Sequence, residues 1–162
     1  MKKLLCTLAL GMLTVAAKAD SVTITFDQPN QVGPSGQTLE FFGTITNNSG
    51  DTIFLNGDSP NMSGSSFSII DLFFNTPISL APGETSSDVE LFDVAVSSPL
   101  LDPIGTYLGT YTLLGGADGD AQDNLGTSTF SVTTVPEPSS IYLLLGGAPV
   151  AGAMLRRLRT RP

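Results

Sequence analysis

Strand-length runs of β-branched and aromatic residues, separated by turn residues, dominate the middle of this chain. Residues 21–26 alternate apolar with hydroxyl side chains, and similar runs recur at short intervals as far as residue 135. A period of two gives a strand one buried and one solvated face. Because no sustained helical period interrupts the runs, they predict an all-β domain. The seven predicted strands are residues 21–26, 38–46, 51–55, 67–74, 89–96, 106–114 and 127–135.

The number and spacing of these runs are typical of an immunoglobulin-like β-sandwich. We expect a single sandwich over residues 20–134, flanked by an N-terminal signal helix and a C-terminal hydrophobic helix. Residues 47–50 are predicted to form the hairpin turn between the second and third strands, and residues 56–61 a polar loop. Tyr107 opens the sixth strand and is predicted to form a tyrosine corner, in which its hydroxyl bonds to upstream backbone.

The charges of the chain are strongly segregated. All seven Lys and Arg residues lie in the first 18 or the last seven residues, and there is no His. Residues 20–135 carry 14 of the 15 acidic residues and no basic one. This segment cannot form a salt bridge within itself, so it must fold on apolar burial and hydrogen bonds against its own repulsion. It also has no basic patch for nucleic acid or for anionic lipid.

Few residue types in the predicted domain could carry catalysis. The only cysteine is Cys6, near the N-terminus, so the domain has no disulfide and no thiolate. The absence of His excludes a Ser-His arrangement and a His-containing zinc site. A carboxylate pair facing a cleft, as in glycoside hydrolases, is the remaining option, and no pair stands out in the sequence. We therefore expect a protein that is not an enzyme.

A glycine-rich segment over residues 115–124 contains three closely spaced aspartates. Asp118, Asp120 and Asp123 could offer several oxygen ligands to calcium, a hard cation. The match to an EF-hand is incomplete because no glutamate stands at loop position 12. Two interpretations stay open: a calcium site at these three residues, or a solvated loop between the sixth and seventh strands. No other cofactor is expected.

The N-terminus has the three parts of a secretory signal peptide. Lys2 and Lys3 precede an apolar run over residues 4–17, and the small residues Ala17 and Ala19 stand where a signal peptidase reads the chain. Residues 1–19 are therefore predicted to direct export through the Sec translocon, with signal peptidase cleaving before Asp20.

The C-terminus carries a second set of signals. The 15-residue apolar run over residues 141–155 is shorter than the ~20 residues that span a bilayer. Length alone leaves a membrane segment and a buried helix equally open. The arginine cluster directly after the run is typical of a stop-transfer signal and favours a membrane segment ending in the cytoplasm. The motif before the run is Val135, Pro136, Glu137, Pro138 and Ser139, and the cluster after it is Arg156, Arg157 and Arg159.

A Val-Pro-Glu-Pro-Ser motif, an apolar run and a terminal arginine cluster, in this order over residues 135–162, resemble the PEP-CTERM sorting domain of exported bacterial proteins. The resemblance implies that an exosortase, a membrane-embedded Cys-dependent enzyme, cleaves near the motif and then releases or transfers the product. The protein would have a transient inner-membrane anchor before it reaches the outer surface or the extracellular space.

These signals favour a structural or adhesive role in the envelope or in exopolysaccharide, which is a candidate partner. A calcium- or carbohydrate-binding module is the alternative, and a carboxylate-based hydrolase is a third hypothesis.

Overall fold

A computed structural model of the protein describes residues 21–136. No helix among these residues is long and apolar enough to cross a membrane. The predicted signal helix and C-terminal helix lie outside the described residues, as do Ala17, Ala19, Glu137, Pro138, Ser139, Arg156, Arg157 and Arg159. The strands are β1 (Val22–Phe26), β2 (Asn30–Pro34), β3 (Thr38–Asn47), β4 (Ile53–Met62), β5 (Phe67–Asp71), β6 (Ser79–Leu80), β7 (Val89–Val96), β8 (Thr106–Gly116) and β9 (Asp123–Val135), with a 3₁₀ turn at Phe73–Asn75.

The strands form two facing sheets. One has the order β1-β3-β7-β5 and the other β2-β9-β8-β4-β6. All pairs are antiparallel except β2 with β9, which is parallel. The first order matches strands A-B-E-D of an immunoglobulin-like sandwich, and β9-β8-β4 matches strands G-F-C. The predicted all-β sandwich is therefore confirmed.

An aromatic cluster fills the space between the sheets. Phe41 and Phe92 stack with ring centroids 4.7 Å apart, and Phe26 meets Phe92 edge to face. Phe130 completes the cluster, and its ring covers Gly109 so closely that a Cβ there would lie 2.3 Å from a ring carbon. Antibody domains pack a disulfide and a Trp at the centre of the sandwich. This chain uses stacked Phe rings instead.

Two strands were missed by the prediction, and one extends much further than predicted. β2 contains Gly33 and Pro34 and has no clear alternation, but the parallel edge of β9 gives it a partner. β6 has only two residues. Residues 56–61, predicted as a loop, lie in β4 and pair with β8. The prediction was wrong there because Gly57, Asp58 and Pro60 favour a turn locally, whereas β8 offers a pairing partner from far along the chain. Pro60 is tolerated where β4 runs beyond β6 and becomes an edge.

The turn at residues 47–50 is not a hairpin. β3 and β4 belong to different sheets, so the turn carries the chain across the sandwich. Asn47 is fully buried at this crossing. Its amide donates to the carbonyl oxygens of Asp51 at 2.9 Å and Leu80 at 3.0 Å, and its Oδ1 accepts from Ser49. The sequence suggested a turn correctly but not which strands the turn would join.

The predicted tyrosine corner is confirmed. Tyr107 lies at the start of β8, and its hydroxyl donates to the carbonyl oxygen of Pro103 at 2.5 Å. Next to it, Asp102 accepts hydrogen bonds from Ser66 N at 2.6 Å and Ser65 Oγ at 3.0 Å. Burial raises the pKa of Asp102, but these bonds outweigh it and leave the pKa below its ordinary value. The corner is thereby tied to the loop that precedes β5.

Candidate functional site

A notch opens where the chain switches from one sheet to the other. β1 pairs with β3 only as far as Gly43, and the last bond runs from Asp27 N to Phe42 O at 3.0 Å. The chain then joins the other sheet at Asn30. Within residues 21–136, no strand therefore pairs with residues 38–42 of β3 on that side. We call the groove at this edge the notch.

The notch is predominantly polar. Its volume is about 450 Å³, within the range of ~300–1,000 Å³ typical of ligand sites. The side chain of Gln31 reaches across it and donates from Nε2 to the carbonyl oxygen of Glu40 at 2.6 Å. The lining residues are Asp27, Gln28, Gln31, Gln37, Thr38, Leu39, Glu40 and Phe42.

Phe42 is the one aromatic residue of the notch. Alternation along β3 directs Phe41 into the core, where it is 1% exposed, and leaves Phe42 37% exposed on the outer face. No residue of the notch was predicted from the sequence to belong to a site. Phe42 could have been found as an aromatic residue at an outward position of an alternating strand, but the neighbouring glutamines are brought to it only by the sheet switch.

A second, mostly apolar groove lies on the outer face of the five-stranded sheet. Its volume is about 350 Å³, and its lining includes Leu108, which is 70% exposed. Asn61 of β4 and Thr110 and Thr129 of β8 and β9 surround it. Few polar groups converge there to orient a small ligand.

An acidic site lies where β4 faces β5. Asp58 points inward and lies beside Tyr111 and Asp71. Burial raises the pKa of Asp58 to about 6; the negative charge of Asp71 adds to the shift, and the Tyr111 hydroxyl offsets part of it. Burial also raises the pKa of Tyr111. The Asp58–Tyr111 contact lacks good hydrogen-bond geometry, since Asp58 Oδ2 and the Tyr111 hydroxyl are both buried without a hydrogen-bond partner among residues 21–136.

The carboxyl group of Asp58 is suited to holding a proton. Residues 20–135 supply no basic side chain that could neutralise Asp58, and an unpaired buried carboxylate is costly unless it is protonated. A hydrolase would need its two carboxylates to face a substrate cleft. Neither of the two grooves above contains Asp58 or Asp71.

The three aspartates predicted to bind calcium surround the turn between β8 and β9. Asp118 and Asp120 are exposed in the turn, and Asp118 Oδ1 accepts from Asp120 N at 3.1 Å. Asp123 is the first residue of β9. Asn56 fixes the turn by donating to the carbonyl oxygen of Asp118 at 2.8 Å. Within residues 21–136 no three His, Cys, Asp or Glu side chains are arranged to hold a metal, and the calcium site stays a prediction.

The predicted sorting motif begins at the edge of the sandwich. Val135 is the last residue of β9 and lies opposite Pro34 of β2. Pro136 follows, exposed, as the last described residue. All nine strands of the described residues 21–136 therefore end before Glu137.

No protein-family model and no curated protein matches this chain. Among solved structures, a Salmonella alpha-2-macroglobulin reacted with methylamine is similar at 18% identity over 72% of this chain, with a TM-score of 0.51. Native Escherichia coli alpha-2-macroglobulin is similar at 20% identity over 73% of this chain, with a TM-score of 0.49. The chain spans only 7% of the length of each. The periplasmic chaperone SfaE is similar at 14% identity, covering 71% of this chain and 58% of the chaperone, with a TM-score of 0.39. The similarity to the Salmonella protein shows a shared fold, and the chain is an immunoglobulin-like β-sandwich.

Proposed function

We propose that this chain is an exported bacterial protein whose acidic sandwich has a structural or adhesive role in the envelope or in exopolysaccharide. An exosortase processes its C-terminus before it takes up that role. The observation that carries the proposal is the order of the C-terminal signals: the Val135–Ser139 motif, the apolar run over residues 141–155 and the arginine cluster.

The end of β9 supports the proposed processing of the C-terminus. The inward-facing side chains of β9 lie within the described residues, and Thr134 is the last that is buried. Pro136 and Pro138 have no backbone N–H for a sheet ladder. An enzyme at the membrane could therefore cleave after the sandwich without first unfolding it.

Residue types support a role without catalysis. Between residues 20 and 135 the ionisable side chains are carboxylates and tyrosines. Acyl transfer and metal-assisted hydrolysis usually depend on His, Cys or Lys. A domain that folds around aromatic rings and presents a uniformly acidic surface is better suited to holding or spacing other components.

Mass spectrometry of the protein from host cells with and without exosortase tests the proposal. The wild-type product should begin at Asp20 and lack Arg156 to Arg161. The product from cells without exosortase should keep these residues, as should a P136A/P138A variant. As a matched control, P103A lies outside the motif and should be processed normally. A wild-type product that retains the arginine cluster would refute sorting.

A further inference from the structure

The notch combines groups that suit a sugar chain. Gln28, Gln31 and Gln37 each carry an amide that can donate and accept hydrogen bonds, and Asp27 and Glu40 only accept. Sugar hydroxyls also donate and accept, so this set can match several of them on one ring. Gln37, Glu40 and Phe42 are exposed, so a sugar can reach the notch from solvent.

Phe42 adds a surface for the sugar ring itself. Its side chain is 37% exposed, and Phe42 lines the notch together with the three glutamines. The face of an aromatic ring carries partial negative charge, and the C–H groups of a pyranose carry partial positive charge. A sugar ring stacked on Phe42 would therefore place its equatorial hydroxyls toward the glutamines.

Charge restricts the class of sugar. Asp27 and Glu40 are acidic, and Glu90 lies close enough to Glu40 to feel its negative charge. No Lys, Arg or His occurs anywhere in residues 20–135 to attract an anion. An anionic polysaccharide would be repelled, whereas a neutral one would not.

The open edge of β3 could also pair with an extended peptide, which would add a strand to the sheet. Gln31 argues against it. Its Nε2 already donates to the Glu40 carbonyl at 2.6 Å, which is the acceptor that an incoming strand would need at that position. Side chains that cover an edge in this way are a common protection against strand addition.

Resting on the proposed place of the domain in a polysaccharide-containing matrix, we propose that the notch binds a neutral, hydroxyl-rich glycan chain. Phe42 forms the stacking surface, and Gln28, Gln31 and Gln37 supply the hydrogen bonds.

Affinity electrophoresis of the full chain, in a detergent without a sugar headgroup, tests this inference. The gels contain dextran, mixed-linkage β-glucan, galactomannan or alginate. At least one neutral polysaccharide should retard the wild-type protein, and anionic alginate should not. F42A should weaken binding at least tenfold and Q28A severalfold. F74A removes an exposed Phe (78%) outside the notch and should bind like wild type.

Circular dichroism of each variant separates lost binding from lost folding. Retardation by no neutral polysaccharide, or equal retardation of wild type and F42A, would overturn the inference. Binding that an extended peptide competes for and free oligosaccharide does not would overturn it in favour of strand addition. Because this measurement does not depend on tail processing, glycan binding and sorting can fail separately.

Discussion

Among the places where this sandwich buries polar side-chain atoms, two differ clearly in how those atoms are hydrogen-bonded. At the crossing between the sheets, Asn47 is fully buried and both ends of its amide are hydrogen-bonded. At the acidic site where β4 faces β5, which we call the flank, Asp58 Oδ2 and the Tyr111 hydroxyl are buried without a partner among the described residues. Hydrogen bonds thus offset the cost of taking a polar group out of water at the crossing, and they do not offset it on the flank.

The difference follows from the chemistry of the two side chains. An amide donates and accepts, so Asn47 can bond at once to the carbonyls of Asp51 and Leu80 and to Ser49 N. An ionised carboxylate only accepts, and near Asp71 it meets another acceptor. Asp58 therefore needs a proton before it can donate. The crossing should be stable at any pH, whereas the flank should respond to pH.

The largest expected effect is at the crossing. N47A would leave buried carbonyls, including that of Leu80, without their donor, and should lower the free energy of unfolding by about 3 kcal/mol. Urea denaturation followed by circular dichroism measures the change. N48A removes the exposed neighbouring amide, which bonds to Thr23 Oγ1, and should cost under about 1 kcal/mol. Equal losses for the two variants would show that the crossing does not depend on Asn47.

The fold was predicted well where local pattern and tertiary contacts agree. β1 and β7 show clear alternation, and Tyr107 stands at the start of a strand, so each could be placed from the sequence. Residues 56–61 could not, because Gly57, Asp58 and Pro60 favour a turn on their own. They form a strand since β8 offers them a partner far away in the chain. The crossing from one sheet to the other at residues 47–50 likewise depends on contacts between strands that are far apart in the chain.

The candidate sites were harder to predict. Asp118, Asp120 and Asp123 are close in sequence and therefore easy to notice, and the calcium site that they suggest stays a prediction. The notch joins Gln28 and Gln31 with Phe42 through a switch between sheets that no local pattern announces. Asp58 and Asp71 come from different sheets as well. The proposed sorting motif could be identified from the sequence alone because such signals are recognised as linear sequence.

The second expected effect is a change in pH dependence on the flank. The pKa of Asp58 is raised from 3.8 to about 6, so the folded protein holds this proton more tightly than the unfolded chain. The contribution of protonated Asp58 to stability is fully present below pH 3.8 and is lost as the pH rises through 6. Two pKa units correspond to about 3 kcal/mol, and solvent screening of this half-buried group reduces the loss to about 1–2 kcal/mol.

D58N should remove this loss, because an amide stays neutral and can donate to Asp71. Urea denaturation should find D58N more stable than wild type by about 1–2 kcal/mol at pH 7.5 and similar to it at pH 4. D88N makes the same charge change at an exposed position and should follow the wild-type pH profile. If D58N and D88N behave alike, the effect is one of net charge and not of this pair.

A smaller effect is expected at the tyrosine corner. Y107F removes a hydroxyl that donates to the Pro103 carbonyl and should lower the free energy of unfolding by about 1 kcal/mol. The Phe67 ring, 4.9 Å from the Tyr107 ring, should keep its contact. Thermal unfolding measures the loss. A Y107F protein as stable as wild type would mean that the corner contributes only packing.

The smallest effect is expected at the second tyrosine of the same strand. The Tyr111 hydroxyl is buried without a hydrogen-bond partner, so Y111F should change the free energy of unfolding at pH 4 by less than about 0.5 kcal/mol, or raise it slightly. The hydroxyl lowers the pKa of Asp58, so Y111F should raise that pKa further. The loss of stability with rising pH should therefore become larger and extend to higher pH. In a D58N background this second effect should disappear. A loss at pH 4 as large as that of Y107F would show that the hydroxyl is bonded after all, and that the contrast between the two tyrosines is wrong.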